Sequence, residues 1–139
     1  MFAFGHVFNR QSFLLLLDLE IKKAQRYQNY LSLLCFTFEH LNPPIDGNPT
    51  ISMKTMSNLL KDELRETDVI GQGSSNRLLV MLPYADVTGA QKVRGRLEQI
   101  LQDYGFGKKG FAVEIGEVCF PTQATNIDDL LQEAGNHVS

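Results

Sequence analysis

No stretch of this chain is apolar for long enough to cross a bilayer, which takes about 20 consecutive residues. The longest leucine-rich run, Phe13 to Leu17, is followed at once by Asp18 and then Glu20. The chain opens Met1-Phe2-Ala3-Phe4 with no basic residues, so the n-region of a secretory signal is missing too. Lysine and arginine number 13 against 16 aspartates and glutamates, a formal net charge of −3. That balance supplies no basic field and disfavours non-specific binding to nucleic acid or anionic membrane, while leaving room for a small anion held by a few arginines. Cysteine is scarce as well. Cys35 and Cys119 both lie in apolar runs, which reads as buried free thiols in a reducing cytoplasm. His6, His40 and His137 stand too far apart for ligand spacing, so neither a metal nor a cofactor is expected. Gly71-Gln72-Gly73-Ser74-Ser75 is glycine-rich but lacks the lysine of a P-loop, and neither serine sits in a nucleophile elbow. There is no internal repeat and no low-complexity tract.

What is present suits one domain of the cytoplasm. At 139 residues, with 43% apolar and 21% charged side chains, the chain can bury a core without disulfides or metals. Asn9 is placed to cap a helix from about Arg10 to Asn29, with Phe13, Leu16, Leu17, Ile21, Ala24 and Tyr27 at helical spacing. Ser12 stands where a capping box would have Glu or Gln. Leu31 to Phe38 is almost continuously apolar, the pattern of a strand covered on both faces. Asn42 to Pro49 is turn chemistry, and Met53, Met56, Leu60 and Leu64 mark one face of a second helix.

Asp68 to Gln72 and Leu78 to Leu82 flank a Gly/Ser/Asn turn and predict a β-hairpin, its second strand ended by Pro83. A third helix from about Val87 to Asp103 carries Ala90, Val93, Leu97, Ile100 and Leu101 inward. Phe111 to Phe120 predicts another strand, with a change of phase at Gly116 that suggests a bulge or a close backbone approach. A last helix begins near Asn126. The order of elements predicts an α/β sandwich, a mainly antiparallel central sheet flanked by helices.

That order, with three local patterns, resembles the GGDEF domain, the bacterial diguanylate cyclase fold of the nucleotide-cyclase-like class. The first pattern is Asn9-Arg10, Phe13, Glu20 and Ala24-Gln25-Arg26, followed by the strand Leu31-Ser32-Leu33-Leu34. The second is Arg65-Glu66-Thr67-Asp68 before a hairpin that ends Leu82-Pro83. The third is Ile115-Gly116, Phe120-Pro121, Leu130-Leu131 and Ala134. Together they span nearly the whole chain.

In this register the signature turn, Gly-Gly-Asp/Glu-Glu-Phe, falls on Ser74-Ser75-Asn76-Arg77-Leu78, and every position differs. The family's glycines let backbone approach the nucleotide, and its acidic residue helps hold Mg²⁺ between phosphates. Asn76 is neutral and Arg77 is positive. The other metal carboxylate would come from the end of the first strand, where Thr37 stands, with Glu39 two residues on. The guanine-binding segment shrinks to about Asn42 through Thr50, with Ile45-Asp46 as its nearest remnant. Phosphoryl transfer rests on positioning and on charge neutralisation by metal, so no cyclase activity is expected.

The resemblance also implies an inhibitory site for cyclic di-GMP, Arg-x-x-Asp five residues before the signature turn. Arg65 and Asp68 stand at that spacing, and Arg96 occupies the position of the second arginine. Arginine offers a planar fork to phosphate oxygens and to the guanine O6/N7 edge, and an aspartate accepts from guanine N–H groups. The same residues admit a purely structural account: Arg65 near a helix C-terminus paired with Asp68, and Arg96 one of the solvated charges of its helix. The expectation is a non-catalytic receptor for cyclic di-GMP at Arg65, Asp68 and Arg96, acting through dimerisation or an attached sensor, receiver or output domain. The alternative is a nucleotide-independent dimerisation or docking domain, and residual cyclase or GTP binding stands third. The missing Asp-x-Leu-Thr entry before Val7, and a closing helix that stops at Ser139, suggest a piece of something larger.

Overall fold

The computed structural model describes residues 1–40, 49–106 and 110–136. The chain runs β1 (Phe2–Phe4), β2 (Val7–Phe8), α1 (Arg10–Tyr27), β3 (Leu31–His40), α2 (Pro49–Lys61), β4 (Val69–Gln72) and β5 (Arg77–Pro83). It continues as α3 (Val87–Tyr104), β6 (Phe111–Phe120) and α4 (Ile127–Asn136). The strands form one six-stranded sheet in the order β1-β2-β4-β5-β3-β6. β2 and β4 run parallel, meeting at Phe8 and Gly71, and the other neighbours are antiparallel. The α/β class and the mainly antiparallel sheet are therefore as predicted.

The two central strands read as continuous apolar runs because both of their faces are covered. Leu34, Phe36 and Phe38 of β3 join Leu78, Val80 and Leu82 of β5 in a core with α2 and α3. Leu31, Leu33 and Cys35 join Leu79 and Met81 in a second core with α1 and α4. Phe13, Leu17, Ile21 and Ala24 of α1 are buried there, the i, i+4, i+8 and i+11 positions of one helical face. Phe13 lies so close to the sheet that a Cβ on Gly71 would stand 2.3 Å from its ring. Gly71 is thus the residue that lets α1 dock.

Caps set the helix ends. Asn9 accepts from Ser12 N–H at 2.8 Å, as the sequence predicts. Asp86 accepts from Gly89 N–H, and Asn126 from Asp129 N–H, each at 2.8 Å. Both cysteines are buried and free.

Four details correct the sequence reading. Helix α1 stops at Tyr27, two residues early, because Gln28 turns into the left-handed region at φ 57° and caps onto the Ala24 carbonyl. Leu64 packs against the core, but from the loop beyond α2, which ends at Lys61. The change of phase at Gly116 is not a bulge: β3 and β6 pair without a break from Leu31–Phe120 to His40–Phe111. The phase only looks broken because Glu117 sits inward among apolar neighbours, where Arg94 donates to it at 3.3 Å. The strands β1 and β2, finally, had no counterpart in the prediction.

Candidate functional site

Strand β5 joins two places of interest, one at each end. At its start the chain turns from β4 through Ser74, Ser75 and Asn76. Arg77 N–H donates to the Ser74 carbonyl at 3.2 Å, and Gly73 N–H to the Arg77 carbonyl at 2.9 Å, which closes a tight hairpin. Asn76 binds this turn to β3 at both of its polar ends. Its carbonyl accepts from Phe38 N–H at 2.8 Å, and its side-chain amide donates to the Phe38 carbonyl at 3.1 Å. Ser74 Oγ donates to Asn76 Oδ1 at 3.1 Å, which fixes the amide's orientation. A carboxylate at this position would have no hydrogen to give the Phe38 carbonyl.

Arg77 and Thr37 are direct partners in the β3–β5 ladder and therefore share a face. The Arg77 guanidinium reaches the last turn of α4, where a Cβ on Gly135 would lie 3.3 Å from its Nη1. A helix C-terminus favours a cation there. Thr37 is 5% exposed and its Oγ1 has no hydrogen bond among the described residues. Cys35 lies two residues along the same face. Burial pushes its thiol up, while the Arg77 charge pulls the other way. Glu39 is exposed at the strand's far end. The guanine-binding segment expected over Asn42 to Thr50, with Ile45-Asp46, lies outside the described residues apart from the main chain of its last two.

The other end of β5 carries the second place. Beyond α2 the chain forms a turn in which Asp68 N–H donates to the Arg65 carbonyl at 3.0 Å. The Asp68 carboxylate returns the contact twice, accepting from Arg65 N–H at 2.9 Å and from Arg65 Nη2 at 3.3 Å. The Asp68 side chain is 2% exposed and that of Arg65 58%, so the carboxylate is enclosed while the guanidinium faces water. Arg65 Nη2 also donates to the Pro83 carbonyl at 3.0 Å, tying the turn to the end of β5. Its Nε and Nη1 make no hydrogen bond among the described residues. Arg96 extends from α3 to the same loop, where its Nη2 meets the Glu63 carbonyl at 3.5 Å, a weak contact.

All three residues singled out by the Arg-x-x-Asp spacing are therefore in one neighbourhood, two guanidinium groups flanking a loop whose carboxylate is fixed. The structural account of the Arg65–Asp68 pair is also realised, since the two are bonded to each other. The pair alone has little energetic weight at this exposure. Sequence reasoning took Pro83 only as a strand stop, and the contact of its carbonyl with Arg65 shows only in three dimensions. Among the described residues no group of histidines, cysteines or carboxylates could hold a metal ion.

His6, in the turn between β1 and β2, has an enclosed Nε2 without a hydrogen-bond partner among the described residues. Burial lowers its pKa from the ordinary 6.5, the Lys61 charge lowers it further, and a hydrogen bond with the Ser57 backbone opposes them. No helix among the described residues is long and apolar enough to cross a membrane.

Residues 3–139 match the family described as "Diguanylate cyclase, GGDEF domain". Among solved structures, a diguanylate cyclase protein from Thermotoga maritima is 16% identical with a TM-score of 0.81, covering 96% of each chain. The active GGEEF domain of a diguanylate cyclase from Vibrio cholerae is 12% identical with a TM-score of 0.82, over 96% of this chain and 89% of that one. A microbial GGDEF domain whose interaction with cyclic di-GMP has been described is 17% identical with a TM-score of 0.73, over 94% and 84%. At these identities the likeness concerns the fold. No curated protein matches the chain.

Proposed function

The chain belongs to the GGDEF domain family, and from that premise we propose that it is a non-catalytic member that binds cyclic di-GMP through Arg65, Asp68 and Arg96. The observation that carries this reading is the Arg65–Asp68 turn. An enclosed carboxylate, fixed by two donors of Arg65, holds a guanidinium that is 58% exposed and still has donors to give. Such a fork suits phosphate oxygens or the guanine O6/N7 edge, and Arg96 supplies a second positive group against the same loop. Because the pair is already formed, the ligand meets an arginine whose rotamer freedom is partly spent.

The loss of catalysis follows from the other end of β5. The Asn76 amide donates to a main-chain carbonyl, Arg77 carries positive charge, and Thr37 is neutral. None of these supplies the negative charge that a Mg²⁺–triphosphate requires. Titration calorimetry with cyclic di-GMP tests the reading. The native chain should bind, and Arg65→Ala should weaken binding by at least tenfold, the scale of a charge-assisted hydrogen bond lost (about 1.5–3 kcal/mol). No heat with the native chain, or equal affinity in Arg65→Ala, would sink it.

A second reading, a docking or dimerisation domain, has its own observation. Leu15 and Leu19 of α1 are 64% and 56% exposed, one turn apart on a single face. Sedimentation of the native chain against Leu15→Glu/Leu19→Glu reads that surface without any nucleotide. The two readings are compatible, since occupancy of a ligand site has to be passed to something.

A further inference from the structure

Tyr84 stands where a tyrosine is costly and unprotected. Ala85 N–H donates to the Leu82 carbonyl at 3.3 Å, with Pro83 second in the turn and Tyr84 third at φ 68°. Proline followed by a positive φ is the pattern of a type II turn, whose third position favours glycine or asparagine because a Cβ crowds the backbone there. Tyr84 is neither, and it is 64% exposed, so burial does not account for it. Its N–H donates to the Tyr30 carbonyl at 2.8 Å, which pins the residue at the end of the sheet. The ring borders a small cleft shared with Tyr27, Tyr30 and Glu20.

The same peptide unit belongs to the candidate ligand site. The carbonyl that joins Pro83 to Tyr84 is the one that accepts from Arg65 Nη2 at 3.0 Å. An exposed aromatic ring and an exposed guanidinium are thus anchored on either side of one peptide bond. Backbone strain kept at a surface position, with no packing return, points from geometry towards a role in binding.

We infer that Tyr84 is a stacking residue of this site, its ring taking the face of a purine while Arg65 addresses that base's edge or its phosphate. The inference rests on the cyclic di-GMP reading above and deepens it by naming the group that recognises the base. Every base presents a π face, and stacking on an aromatic side chain adds affinity with little demand on sequence or register. Arg65 then supplies the direction that stacking lacks.

The test uses Tyr84→Gly, Tyr84→Phe and Tyr84→Trp in the whole chain, titrated with cyclic di-GMP beside Arg65→Ala. Tyr84→Gly should weaken binding about tenfold, within the range for one lost stacking platform, and should not lower the melting temperature, since glycine relieves the turn. Tyr84→Phe should bind like the native chain. The sequence contains no tryptophan, so Tyr84→Trp provides a single reporter whose fluorescence should be quenched on addition of the ligand. If Arg65→Ala loses binding but Tyr84→Gly keeps it, the stacking role fails while the ligand site stands. A melting temperature that drops in Tyr84→Gly, with no quenching in Tyr84→Trp, makes Tyr84 a structural residue and also overturns the role. No binding by the native chain removes both.

Discussion

The Asn76 amide gives its hydrogen to the Phe38 carbonyl and so stitches the hairpin to β3. In the register proposed above it stands where the family's turn has a metal-holding carboxylate. Asn76→Asp replaces that donor with an anion facing a carbonyl oxygen. The variant should lose about 1–3 kcal/mol in urea unfolding at neutral pH, the cost of an unmade and partly enclosed hydrogen bond. It should also turn over no GTP with Mg²⁺, because Arg77 and Thr37 are unchanged. Turnover gained by this one change would show that Arg77 and Thr37 do not bar catalysis. At the Arg-x-x-Asp site the residues were legible from spacing once the register was known. Their partners were not: the Pro83 carbonyl lies 18 residues from Arg65 in sequence, and no local pattern reports it.

Among the elements, the long ones were readable and the short ones were not. Helix α3 and strand β6 carry enough periodic positions to declare themselves, and β6 runs over the same residues, Phe111–Phe120, that its pattern predicts. Strands β1 and β2 have three and two residues, too few for any period to emerge. They exist because Phe8 pairs with Gly71 of β4 and extends the sheet. His6 lies in the turn between them, beside α2, and gives this hairpin a pH dependence. Its folded-state pKa is lowered, so the unfolded chain binds the proton more readily. The contribution of His6 is then complete above 6.5 and declines as pH falls below that value towards the folded pKa. Unfolding curves from pH 7.5 to 5.5 should lose stability in the native chain and less in His6→Gln. Parallel pH profiles would show that His6 carries no such weight.

Across the whole molecule, β5 separates the two sites by its own length, seven residues, or about 20 Å at the usual rise of a strand. One strand thus has the Asn76 turn at its start and the Arg65 contact at its end. A ligand held at that end binds the folded chain alone, so it should stabilise the whole domain. At 100 times its Kd the gain is about 2.7 kcal/mol, a rise in melting temperature on the order of 8 °C for a domain of this size. Scanning calorimetry with and without cyclic di-GMP should show it in the native chain, and Arg65→Ala, bound at least tenfold more weakly, should show about half of it or less at the same concentration. A shift of equal size in both would place the ligand somewhere else.

The amino-acid sequence by itself determined the class of fold, the two-sided burial of β3 and the free state of the cysteines. These depend on periodicity, composition and spacing, which are local quantities. Tertiary structure alone decided that Asn76 serves Phe38, that Glu117 is an inward charge answered by Arg94, and that Arg65 donates to the Pro83 carbonyl. Each of these joins residues distant along the chain through a hydrogen bond. Such bonds are set by how the sheet and helices pack, and not by the period of any one segment.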